Sequence, residues 1–112
     1  MNPRSGKSCS SNQEKQIAKM VKGRVQSNSG GTRFGGGDVH TKTVFIEAKT
    51  PTTEKSSFSI KKEWLDKAKE QAFEQGKTSS ALAFRFGPDE QDYFVIDAKL
   101  FKALIEYLEG DL

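Results

Sequence analysis

The sequence predicts an α/β domain in which helices pack against a small mixed β-sheet. Apolar residues recur at helical spacing in three segments, and they alternate or run continuously in five shorter, strand-like segments. The predicted order of elements is α, β, β, β, α, β, β, α, and such interleaving indicates helices layered on a sheet. We expect a flexible basic tail over residues 1–10 and a single domain over residues 11–112, a length that supports one core.

The first helix is expected over about residues 11–22. Ser11 and Glu14 have the spacing of a capping box, in which the two side chains satisfy the first free amides of a helix. An apolar stripe follows at spacings of three and four, and Gly23 is predicted to end the helix.

Two strands joined by a tight turn near Thr41 are expected after a thin first strand at residues 24–29. A glycine-rich run, residues 30–37, connects that first strand to the hairpin and is expected to be too flexible for regular structure. Alternation in the segment TVFIEAK assigns its side chains to two faces of the sheet. One face carries Val44, Ile46 and Ala48, and the other carries Phe45, Glu47 and Lys49.

The second half of the chain is predicted to form a helix, then a β-hairpin and then a last helix. Ser59 is expected to cap a helix that runs to Gln75 and stops at Gly76, with Trp64 in the core because of its helical spacing with apolar neighbours. Strands are expected at residues 81–86 and 93–97, and a last apolar helix from Ala98 can serve either the core or a dimer contact.

Charge is distributed unevenly along the chain. Seven basic residues face one acid in residues 1–37, whereas two basic residues face seven acids in residues 87–112. This polarity favours a face that attracts a polyanion, although a basic tail with ordinary solvated helices explains it equally well. No apolar run has a membrane-spanning length, and Cys9 is the single cysteine, so we expect a cytoplasmic protein without disulfides.

Asp38, Glu47 and Lys49 form the constellation that carries chemistry. Strand alternation puts Glu47 and Lys49 on one face, about 7 Å apart along the chain, and Asp38 begins the preceding strand. Two converging carboxylates repel each other, and a divalent cation such as Mg²⁺ relieves that repulsion. The ordinary alternative is a solvated strand face with Asp38 as a turn residue.

The segments GDV at 37–39 and FIEAK at 45–49 resemble the signature of the PD-(D/E)xK nuclease superfamily. The order of elements around them resembles the small Holliday-junction resolvases of bacteria and phages, RecU-type proteins in particular, over about residues 12–108. Gly37 stands where the superfamily name leads one to expect proline.

This resemblance implies a restriction-endonuclease-like core and an Mg²⁺-dependent endonuclease, with Mn²⁺ as a substitute. Asp38, Glu47 and the carbonyl of Ala48 would bind the metal, and Lys49 would assist the attacking water. It also implies a homodimer in the bacterial or phage-infected host cytoplasm, acting on branched or duplex DNA without a small-molecule cofactor.

Further residues match the resolvase pattern or lie where DNA would pass. Glu14 matches a helix glutamate that approaches the site in such enzymes, with the capping box as its alternative, and Gln71 matches a glutamine near the attacking water, with an exposed helix position as its alternative. An ordinary flexible loop, an incidental strand histidine and solvated lysines are the alternatives for the candidate DNA contacts, which are Arg24, Ser27, Ser29, Arg33, His40, Lys55, Lys61 and Lys62. A restriction-like or general phage endonuclease and a non-catalytic DNA-binding module remain the alternative functions.

Overall fold

The computed structural model describes residues 6–26 and 36–110 and contains the predicted order of elements. The elements are α1 (Gly6–Val21), β1 (Arg24–Gln26), β2 (Gly36–His40), β3 (Val44–Lys49), α2 (Lys62–Glu74), β4 (Ser79–Phe84), β5 (Tyr93–Val95) and α3 (Ala98–Glu109).

A five-stranded mixed sheet with the order β1-β2-β3-β4-β5 forms the centre of the domain. β3 and β4 are parallel and are connected through α2, whereas the other neighbouring strands are antiparallel. The predicted hairpins β2–β3 and β4–β5 are confirmed. The α/β class with a mixed sheet flanked by helices is therefore confirmed as well.

The two faces of the sheet pack against different helices. On one face, Ile17 of α1 packs with Val39, Ile46 and Ala48 in an apolar cluster. On the opposite face, Phe45 is fully buried against the alanines of α2. The predicted division of β3 into two faces is confirmed, and the face that carries Glu47 and Lys49 is the one that α2 partly covers.

The ends of α1 differ from the prediction. The helix already begins at Gly6, so Ser11 lies inside it and the capping-box assignment is wrong. The helix ends at Val21, and Lys22 takes the left-handed conformation, with φ 56°, that a glycine usually supplies. Gly23 is required for another reason: a Cβ atom there would lie 2.6 Å from the carbonyl oxygen of His40.

The ends of several other helices and strands differ from the prediction. α2 begins at Lys62, and its N-cap residue Lys61 makes no side-chain capping hydrogen bond. The prediction that Ser59 caps this helix is therefore wrong. Gly76, with φ 73°, does end this helix as expected. The expected strand at 81–86 begins and ends two residues earlier, and Gly36 with Gly37 forms part of β2 rather than a flexible run.

α3 presents its apolar residues to solvent. No residue of this helix is buried, and its exposed side chains include Phe101, Leu104, Tyr107 and Leu108. The alternative that α3 completes the core is therefore wrong. Among the described helices, none is both long enough and apolar enough to cross a membrane.

Candidate metal centre

Asp38 and Glu47 are direct cross-strand partners on β2 and β3. Such partners point to the same face of the sheet with Cβ atoms about 5 Å apart, so the register brings the two side chains side by side. Both are buried, at 5% and 3% exposure. The next residue in this row is the fully buried Leu82 of β4, which borders the pair with an apolar wall.

Lys49 supplies the positive charge beside the carboxylates. Its ammonium lies 3.8 Å from Oε2 of Glu47, beyond hydrogen-bonding distance but close enough for an ion pair. The same nitrogen lies 4.6 Å from the centre of the Trp64 ring, a cation–π distance. The Lys49 ammonium thus lies beside both the Glu47 carboxylate and the face of the Trp64 ring.

Trp64 is a site residue that sequence reasoning assigned to the core. It is half-buried at the start of α2, where Lys49 meets its ring face. Phe58 lies 6.2 Å from it and stacks on Phe84 at 5.1 Å, and Phe84 in turn stacks on Tyr93. This row of aromatic rings holds the start of α2 against the sheet and so fixes the ring below Lys49.

Gln71 is half-buried on α2, the helix that packs on β3 and β4. One helical turn further on, the Gln75 amide donates a hydrogen bond of 3.1 Å to the side-chain oxygen of Gln26. Gln26 is the strand partner of Asp38 in β1. Because residues four apart share a helix side, the half-buried Gln71 points towards the same edge as Gln75.

A buried polar network fixes the end of β3 from the opposite side. Gln13 of α1 is fully buried, and its amide donates to the backbone oxygen of Lys49 at 3.1 Å and to Asp92 at 2.9 Å. The Thr50 hydroxyl donates to the amide oxygen of Gln13. One side chain of α1 therefore binds both the backbone carbonyl of Lys49 and the side chain of Thr50.

Arg85 completes this network. Its guanidinium, 2% exposed, donates two hydrogen bonds of 2.9 Å to the two carboxylate oxygens of Asp92. It also donates to the Pro88 carbonyl at 2.9 Å and to the Gln16 amide oxygen at 2.7 Å. A buried guanidinium is tolerated when it pairs with a carboxylate through two hydrogen bonds and its other N–H groups also find acceptors. The sequence signal was a lone arginine in the apolar run ALAFRF.

Glu14 does not join the carboxylate pair in a recognisable metal-binding group. It is half-buried on α1, which packs on the other face of the sheet from Asp38 and Glu47. Within residues 6–26 and 36–110, no three His, Cys, Asp or Glu side chains come together as metal ligands. A metal here would rest on two carboxylates, a carbonyl such as that of Ala48, and water.

The remaining DNA-contact candidates are dispersed. Arg24 and His40 are strand partners at the turn end of β2, and Lys55 and Lys61 are exposed beyond β3. Lys62 is exposed and pairs with Asp66 at 2.8 Å. The candidates that lie outside the described residues are Ser27, Ser29 and Arg33.

Comparison of the chain with protein-family models, curated proteins and solved structures found no match.

Proposed function

We propose that this protein is an Mg²⁺-dependent endonuclease that cleaves branched DNA, with the Holliday junction as its substrate. The observation that carries the proposal is the register that pairs Asp38 with Glu47 and sets the Lys49 ammonium 3.8 Å from Glu47. We also infer that the mixed sheet is a restriction-endonuclease-like core. The cytoplasm of a bacterium or of a phage-infected host is the compartment that suits this activity.

The donor set fits Mg²⁺, which binds proteins through one or two carboxylates and retains several waters. Asp38, Glu47 and the Ala48 carbonyl would hold the ion. When bound, the metal stabilises charge on the phosphate and lowers the pKa of a coordinated water. Hydrolysis then consumes one water, breaks one phosphorus–oxygen bond and leaves a phosphate monoester and a hydroxyl.

We infer that Lys49 stabilises the negative charge that develops on the phosphate. Its neighbours, the Glu47 carboxylate and the Trp64 ring, both attract a cation, and a cation next to the reacting phosphate stabilises the transition state. Gln71, half-buried on α2, is proposed to orient the attacking water. A catalytic role for Glu14 stays a prediction.

A homodimer belongs to this proposal because resolving a four-way junction requires two symmetric cuts. We expect sedimentation at micromolar concentration to give about twice the mass of the 12.4 kDa chain. A monomer in the presence of the junction would contradict the resolvase assignment while leaving a simple nuclease possible.

The substrate is tested by parallel cleavage of a labelled four-way junction, a flap and a linear duplex. We expect junction cleavage at symmetric positions with Mg²⁺ or Mn²⁺, and none in EDTA. Equal rates on all three substrates would instead favour a restriction-like or general phage endonuclease. Binding without cleavage of any substrate, with either metal, would favour a non-catalytic DNA-binding module.

A further inference from the structure

A basic cavity of about 250 Å³ lies at the turn end of β2 and β3, away from Lys49 and Trp64. Among the described residues, its lining includes Lys22, Arg24, His40, Lys42 and Lys77 and no Asp or Glu. Within the part of the chain that the structure describes, neither Lys22, Arg24 nor Lys42 makes an ion pair. Four permanent cations thus surround one concave surface.

The cavity is built by the fold rather than by loose side chains alone. Gly23 packs so closely against the carbonyl of His40 that only a glycine fits, which joins the end of α1 to the end of β2. The Lys77 ammonium donates to the Thr41 carbonyl at 2.6 Å and ties the segment after α2 to the same turn. Three segments are therefore held together around the cations.

The cavity continues the face that carries the candidate metal centre. His40 follows Asp38 by two residues in β2, so both side chains lie on one face, about 7 Å apart along the strand. Arg24 is the strand partner of His40, and Gln26 is the strand partner of Asp38. A ligand in the cavity would therefore lie next to the carboxylate pair on the β1–β2 side.

We propose that this cavity binds a backbone phosphate of the nucleic-acid strand that lies across the candidate metal centre. The inference rests on the proposed function, and the ligand class follows from charge: several cations without a carboxylate suit a phosphate and no neutral or cationic group. Lys22 also stands at the C-terminal end of α1, where a cation interacts favourably with the helix dipole. A test must separate that structural role from phosphate binding.

The test uses the double variant Arg24→Gln/Lys42→Gln, which leaves Lys22 in place and alters two exposed side chains. The matched control is Lys99→Gln/Lys102→Gln on α3, which removes the same charge from other exposed positions. Both proteins and the wild type are titrated with inorganic pyrophosphate and observed by amide NMR. Anisotropy of a labelled four-way junction without divalent metal is then followed from 50 to 200 mM NaCl.

We expect pyrophosphate to shift the amides of Gly23, Thr41 and Lys42 in the wild type and the control, but not in the cavity variant. The cavity variant should bind the junction on the order of tenfold more weakly, with a salt slope smaller by about one to two. Equal junction affinity in the two variants, or a cavity variant that only melts earlier, would overturn the inference. A wild type that binds pyrophosphate but no DNA would instead overturn the proposed function.

Discussion

Replacing Asp92 by alanine tests whether the buried network at the end of β3 stabilises the domain. The change removes both acceptors of the Arg85 fork and leaves a guanidinium that is 2% exposed with only the Pro88 and Gln16 oxygens. Breaking a buried pair from one side costs about 3–5 kcal/mol, because the remaining charge stays desolvated. Asp92→Ala should therefore lower the free energy of unfolding by about that amount.

Asp66→Ala is the matched control because its carboxylate accepts from Lys62 at a similar distance, 2.8 Å, at the surface. An exposed pair at helical spacing contributes only about 0.3–0.5 kcal/mol. Urea unfolding followed by circular dichroism measures both, and with an m-value near 1.5 kcal/mol/M the midpoint should fall by roughly 2–3 M for Asp92→Ala. Similar midpoints for the two variants would refute the reasoning that burial sets the energy of this pair.

Three further outcomes are expected. Trp64→Leu removes the ring below Lys49 and should lower the rate of junction cleavage several-fold, whereas Trp64→Phe keeps an aromatic face and should retain most of it; equal rates would exclude the cation–π contact. Gly23→Ala places a Cβ 2.6 Å from the His40 carbonyl and should destabilise the domain by about 1–3 kcal/mol in urea unfolding; an unchanged midpoint would contradict the close approach. The hydrogen bond from the Leu100 amide holds the pKa of Asp97 below its ordinary value, so the stabilisation is present above that value and is lost as pH falls through the folded pKa. The melting temperature of Asp97→Ala should accordingly lie below that of the wild type at pH 7, and the difference should disappear in acid, below the folded pKa of Asp97; a difference that does not change with pH would contradict this.

The face of β3 that carries Glu47 and Lys49 could be predicted because the alternation of side chains along a strand is strictly local. Glu47 and Lys49 follow from the period of two, and the pairing with Asp38 follows from the tight turn near Thr41. Neither inference needs knowledge of the rest of the fold. The same reasoning placed Phe45 on the face of β3 that carries Glu47, and the structure shows it buried there against α2.

Helix ends and buried polar contacts could not be predicted because they depend on distant segments. The Ser11 motif has the form of a cap, yet the helix continues through it. Gln13 looks like an ordinary polar helix residue, and only contact with Lys49 and Asp92, far along the chain, explains its burial. Trp64 fitted a helical apolar stripe, and only the packing of α2 on the sheet brings its ring to Lys49.

The proposal that matters most is that Asp38 and Glu47 hold the metal needed to cleave branched DNA. Its most direct test compares Asp38→Asn and Glu47→Gln with the surface control Asp66→Asn on a four-way junction with Mg²⁺. We expect both site variants to bind the junction without cutting it, while the control cuts at the wild-type rate. Full cleavage by either purified site variant would contradict the metal-site assignment.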